Sequence, residues 1–155
     1  KAKADAAKDA VKRTIDAIQG LTDPQKQDYK NEIDVATTEG DINNIIQDAQ
    51  AQPKKNDTKN KISALTNLNN AQKDDLKAAV DNSNSVEELD GILATAYNLD
   101  ADMKHLKDLV AQAEETKNSN LYTSVTQDKQ TALDNAIVAA KKVTEQNTLG
   151  NVPTL

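Results

Sequence analysis

Apolar residues recur along this chain at steps of three and four, the spacing that lays a single stripe along a helix of about 3.6 residues per turn. The longest stripe follows Ser85 and runs through Leu89, Leu93, Ala96, Leu99, Met103, Leu106, Val110 and Ala113. Ser85-Val86-Glu87-Glu88 reads as its start, with the Ser85 hydroxyl placed to accept from the backbone N–H of Glu88. No proline interrupts the stretch, which predicts a helix from Ser85 to Lys117, roughly 48 Å long at about 1.5 Å per residue. A single small bundle does not need such a helix, so we expect a spine shared between two bundles. Gly91 and Asn98-Leu99-Asp100 are the places where a kink would enter, and continuity is expected through both.

Upstream, Ala4, Ala7, Val11, Ile15 and Ile18 predict a first helix over Ala2 to Gln19, closed by Gly20. Asp23 ahead of Pro24 predicts the cap of a second helix that carries Tyr29, Ile33 and Ala36 inward. A third helix follows Thr37-Thr38-Glu39-Gly40-Asp41, with Ile42, Ile45, Ile46 and Ala49 on one face. Gln52-Pro53-Lys54-Lys55-Asn56 breaks the pattern and reads as a linker.

The next segment repeats the first. A shift of 47 positions carries Ile15 onto Ile62, Ile18 onto Leu65, Leu21 onto Leu68, Ile33 onto Val80, Ile42 onto Leu89 and Ile46 onto Leu93. Gln25-Lys26 falls on Gln72-Lys73 and Thr38 on Ser85 without a gap. Shared loop lengths, and not merely a shared period, mark an internal duplication. After Lys117 come the polar Asn118-Ser119-Asn120, then Leu121 and Tyr122, and a last helix over about Gln127 to Gln146 with Leu133, Ala136, Ile137, Ala140 and Val143 on one side. It is expected to fold back on the distal half of the long helix.

The fold class is therefore all-α: tandem three-helix bundles in an elongated rod, with a long helix shared between the second bundle and a terminal helical hairpin. The expected units are 1–52, 57–98 and 99–147, followed by an aperiodic tail, 148–155. Composition agrees, since aromatics are 2% of the chain with no Phe or Trp, leaving Leu, Ile, Val and Ala to build the core. A net charge of −6 argues against nucleic acid as a partner and against docking on an anionic membrane. No apolar run approaches the length of a membrane span, so membrane insertion is not expected. Without cysteine there is no disulfide framework and no thiol nucleophile. The chain reads as a monomeric fragment of a longer one.

Candidate chemistry is sparse. His105, the single histidine, lies between Lys104 and Leu106 with no Ser or Cys partner placed by a motif. Asp74-Asp75 and Asp100-Ala101-Asp102 lack the spacing, glycine and terminal Glu of a calcium loop and read as solvated helix faces. Lys54, Lys55, Lys59 and Lys61 form the one basic cluster, read as linker and helix start in preference to a polyanion site. Tyr29, Tyr97 and Tyr122 read as core-edge residues, ring buried and hydroxyl wet. No enzyme, cofactor or metal is expected, and no residue can be assigned to ligand contact.

Two sets of residues carry a family resemblance. Ala7-Lys8-Asp9-Ala10 with Leu21 and Ala36-Thr37-Thr38-Glu39-Gly40-Asp41-Ile42 resembles the GA module, the three-helix unit related to the albumin-binding domain of bacterial surface proteins. Lys59 to Tyr97, with Asn84-Ser85-Val86-Glu87-Glu88-Leu89, is similar to it too. Leu106-Lys107-Asp108-Leu109-Val110-Ala111-Gln112-Ala113, Tyr122-Thr123 and Ala139-Ala140-Lys141-Lys142-Val143 resemble a FIVAR module, of which a third helix would be missing here. Alternating units of this kind resemble the repeats of giant extracellular-matrix-binding surface proteins of staphylococci. That resemblance implies a cell-wall-anchored adhesin with fibronectin as partner. Albumin binding is a further implication, placed on the second helix and its flanking loops, and a ligandless spacer is the alternative.

Overall fold

The computed structural model describes residues 2–83 and 85–145, and among them every regular element is a helix. The elements are α1 (Ala2–Ala17), α2 (Asp23–Val35), α3 (Glu39–Ala64), α4 (Asn70–Asn82), α5 (Val86–Lys117), α6 (Asn120–Ser124) and α7 (Gln127–Thr144). The tail expected over 148–155 lies outside the described residues.

Four of these starts are fixed by a side chain. Thr22 accepts from the N–H of Gln25 at 3.4 Å while the Gln25 side chain accepts from the N–H of Thr22 at 3.0 Å. Asn69 and Gln72 make the same reciprocal pair at 2.9 and 3.0 Å. Thr38 and Asp41 do so at the head of α3, and Ser85 accepts from Glu88 at the head of α5. The cap of α2 is thus Thr22, not Asp23: the Thr22 hydroxyl reaches the third helical N–H, and Pro24 sits one place further inside.

The duplication is visible in the packing. Ile15 and Ile62 are both fully buried, as are Ala49 and Ala96, and Ile33 and Val80. The first unit closes Ile15, Leu21, Tyr29, Ile33 and Ala49 between α1, α2 and the first half of α3. The second closes Ile62, Val80, Leu89 and Ala96 between the second half of α3, α4 and the first half of α5. Polar clasps repeat as well. The Lys8 ammonium donates to the Asp34 carbonyl at 2.8 Å, and that of Lys55 to the Asp81 carbonyl at 3.1 Å. Lys12 pairs with Asp34 and Lys59 with Asp81, while Lys26 and Lys73 reach the Asp16 and Ser63 carbonyls.

The linker expected at Gln52–Asn56 does not form. α3 runs through it for 26 residues, about 39 Å, with Pro53 inside. A proline in a helix interior costs about 3 kcal/mol because it removes one hydrogen bond and crowds the preceding turn. Here that loss is offset by packing on both sides. The Pro53 ring lies against Gly20, where an added Cβ would be 2.9 Å from the Pro53 Cβ, and Gly20 takes the positive φ (86°) that turns α1 into α2. Beyond Pro53, Lys55, Thr58 and Ile62 are buried in the second unit. α5 is likewise unbroken over 32 residues, with no interruption at Gly91 or at Asn98–Asp100. Its distal half pairs with α7 through Val110 and Ile137, and α6 closes the turn between them.

Candidate functional site

The two repeated units carry matching grooves. In the first, Ala7, Lys8 and Val11 of α1 face Thr38, the cap of α3, and Ile42 and Ile46 of α3 across an open groove of about 340 Å³. In the second, the equivalents Lys55, Ser85 and Leu89 line a groove of about the same volume. That second groove has an added wall, Asn44, Gln47, Asp48 and Ala51, supplied by the first half of α3. At its base the Lys55 ammonium, almost buried, donates to the Asp81 carbonyl and stands 3.8 Å from Asp48. A third depression, about 160 Å³, runs between α5 and α7 over Leu106, Leu109, Val110, Leu133 and Ile137 and is almost wholly apolar.

The residues singled out in the sequence do not converge on a reaction centre. His105 is exposed on α5, and Asp74 and Asp75 are exposed on α4. Among the described residues no three His, Asp or Glu side chains gather as a metal ion requires. Asp100 and Asp102 separate in role: Asp102 is exposed, whereas Asp100 accepts from the N–H of Asn67 at 2.8 Å, the Asn67 amide at 2.9 Å and the N–H of Leu68 at 3.3 Å. The four lysines of the basic cluster are all engaged by carboxylates. Lys54 meets Asp90 at 2.8 Å, Lys55 faces Asp48, Lys59 meets Asp81 at 2.5 Å and Lys61 meets Asp57 at 2.7 Å. Charges so neutralised, on and beside a continuous helix, make a brace between α3, α4 and α5 and leave little field for a polyanion.

The tyrosines divide. Tyr29 is buried and its hydroxyl donates to Asp48 at 2.7 Å, so burial first and the Asp48 carboxylate second push its pKa well above the ordinary phenol value. Tyr122 is half-buried and donates to Asp134 at 2.9 Å. The same carboxylate meets Lys117 at 2.8 Å, and these two donors, Lys117 foremost, hold Asp134 below the usual carboxylate range. Tyr97, expected at the edge of the core, is instead 49% exposed. Its counterpart 47 residues earlier is the exposed Gln50, so the side chain falls on the solvent face of α5.

Among the described residues the arrangement offers shallow grooves and gathers no set of three metal-ligating side chains. The GA module model matches twice, over residues 1–53 and 52–102. The chain belongs to the GA-module family. A FIVAR domain model matches residues 102–155, so the GA pair passes directly into a FIVAR unit on α5. No curated protein and no solved structure matches the chain. GA and FIVAR modules are non-enzymatic extracellular domains of bacterial surface proteins. No described helix of this GA–GA–FIVAR segment is long and apolar enough to cross a membrane.

Proposed function

We propose that this segment is a repeat unit of a cell-wall-anchored bacterial adhesin that binds a host extracellular protein weakly and multivalently. The observation that carries the reading is the recurrence of one shallow groove on both GA units, fixed at each by a lysine clasped to the end of the second helix. Fibronectin is the ligand proposed, from the resemblance of GA and FIVAR units in series to the repeats of the giant matrix-binding surface proteins of staphylococci. Serum albumin is the second ligand, from the GA kinship itself. The surface is poor in the aromatic anchors that dominate tight interfaces, with three Tyr and no Trp. One copy is therefore expected to bind with a dissociation constant of about micromolar or weaker, near −8 kcal/mol.

A spacer reading is favoured by a different observation, the continuity of α3 and α5 through both unit boundaries, which suits reach and stiffness without any ligand. Immobilised chain, probed with fibronectin, albumin and an unrelated protein, separates the readings. Tandem copies should gain retention on a dense ligand coating far more than on soluble ligand, because only the coating offers many sites at once. Nanomolar binding by one copy contradicts the avidity mechanism. Absence of binding to both proteins at every copy number leaves the spacer.

A further inference from the structure

The two GA units differ at the loop that enters the second helix of each. In the first unit this loop is sealed by amides. Asn56 of α3 donates to the Gly20 carbonyl at 3.1 Å and to the Gln25 side chain at 2.9 Å, and accepts in turn from Gln25 and Gln52, each at 3.1 Å. The cap residue is Thr22, exposed, whose single oxygen is used at the head of α2.

In the second unit the position of Asn56 is held by Met103, fully buried with Leu68 and Leu99, and Val143 of α7 packs onto that cluster. The position of Thr22 is held by Asn69, also fully buried. Its carbonyl oxygen accepts from the N–H of Gln72, capping α4, and its amide donates to the carbonyl of Val143 at 2.9 Å. Val143 lies in the last turn of α7, where carbonyls have no partner within their own helix. One asparagine therefore caps the start of a helix in the GA unit and the end of a helix in the FIVAR unit. Asn69 makes these two bonds from two different atoms, the oxygen to α4 and the nitrogen to α7, whereas a threonine would have to accept and donate at its one hydroxyl oxygen.

We infer that the loop before the second helix of a GA unit is a docking socket for the last turn of a helical hairpin carried downstream of it. Asn69 and Met103 open it in the second unit, and Thr22 with Asn56 shuts it in the first. The partner it fits is an α-helical C-terminus that brings an apolar side chain to the Met103 cluster and an unpaired carbonyl to the Asn69 amide. Which kind of module can succeed a GA unit is thus written in that unit's own loop and in the helix leaving it. The inference goes beyond the adhesin reading and does not depend on any ligand.

The test uses the whole 155-residue chain, which contains no cysteine and so accepts paired spin labels at the exposed Ala79 of α4 and Ala139 of α7. Asn69→Thr keeps an oxygen for the α4 cap and removes the amide that reaches α7. Val143→Asn removes the apolar contact from the α7 side and leaves the second unit's own residues intact. Both variants should broaden the α4–α7 distance distribution and speed amide exchange in the last turn of α7 by about fivefold or more. Protection of α4 should stay near that of the parent chain. Thr22→Asn, made in the shut unit, should change none of these. A last turn of α7 that keeps both its distance and its protection in either Asn69→Thr or Val143→Asn overturns the inference.

Discussion

Gly20 and Pro53 meet so closely that a Cβ on the glycine would stand 2.9 Å from the Cβ of the proline, and Gly20 also holds a φ of 86°. Gly20→Ala is strained twice over, by backbone and by contact, and should destabilise the first unit by about 1–2 kcal/mol. The second unit has no such glycine. Asn67 stands there without positive φ, its backbone held by Asp100. Amide exchange resolved by residue should show the loss in α1 and α2 and leave α4 protected.

Ile62→Ala should do more than soften the second core. Removing this fully buried side chain costs about 2–5 kcal/mol, against roughly 3–5 kcal/mol available to so small a unit. With the second unit loosened, only the Asn56 side chain, bonded to Gly20 and Gln25, still ties α3 down beyond Pro53, and the helix should fray back to about Asn56. Protection lost over 57–64 but kept in the first unit is the expected pattern. Protection kept throughout 57–64 would show that α3 continues past Asn56 without help from the second unit's packing.

High pH should act on the first unit through Tyr29. Folding raises its pKa, so the neutral phenol is favoured in the native state and the stabilisation is complete below the unfolded value of about 10. It is lost as pH climbs from there toward the folded pKa. The equivalent residue, Leu76, does not titrate. Denaturant midpoints of the first unit should fall across that range in the parent chain, and more shallowly in Tyr29→Phe.

Acid should act at the other end. Asp134 has a lowered folded pKa, so its contribution is present above the unfolded value of about 3.9 and disappears as pH drops through the folded one. The turn joining α5 to α7 through Lys117, Tyr122 and Asp134 should loosen in that window. Carboxyl NMR should find Asp134 titrating below the usual carboxylate range, and Asp134→Asn should remove the acid sensitivity of α6.

Helix positions and the duplication were legible because caps and apolar spacing are local signals: Thr38, Ser85 and the Ile15/Ile62 pair stand in the structure where the pattern puts them. The long α5 was legible for the same reason. Pro53 misleads because proline is a breaker by local rules, yet the repeat holds the correcting signal. A shift of 47 residues sets Pro53 on Ala6, inside α1, so the second unit's first helix has to include it. Tyr97 is correctable in the same way, through Gln50. No local pattern announces the clasps made by Asp100 and Asn69, because their partners lie 33 and 74 residues away. Nor does any residue pattern name the ligand, since shallow grooves are built from the same Lys, Thr and Ile that close the bundles.

The uninterrupted passage of α3 through Pro53 makes residue count a measure of rotation. One residue inserted near the boundary would turn everything downstream by about 100° around the axis and advance it by about 1.5 Å. Lys55 would swing away from Asp48 and Asn56 from Gly20, although neither unit had itself been altered. Only insertions close to whole turns, about seven residues for two, would return successive grooves to their original bearing. Along a series of such units the direction in which each groove faces is therefore a periodic function of spacing, and a string of them presents its surfaces as a helical array with its own pitch.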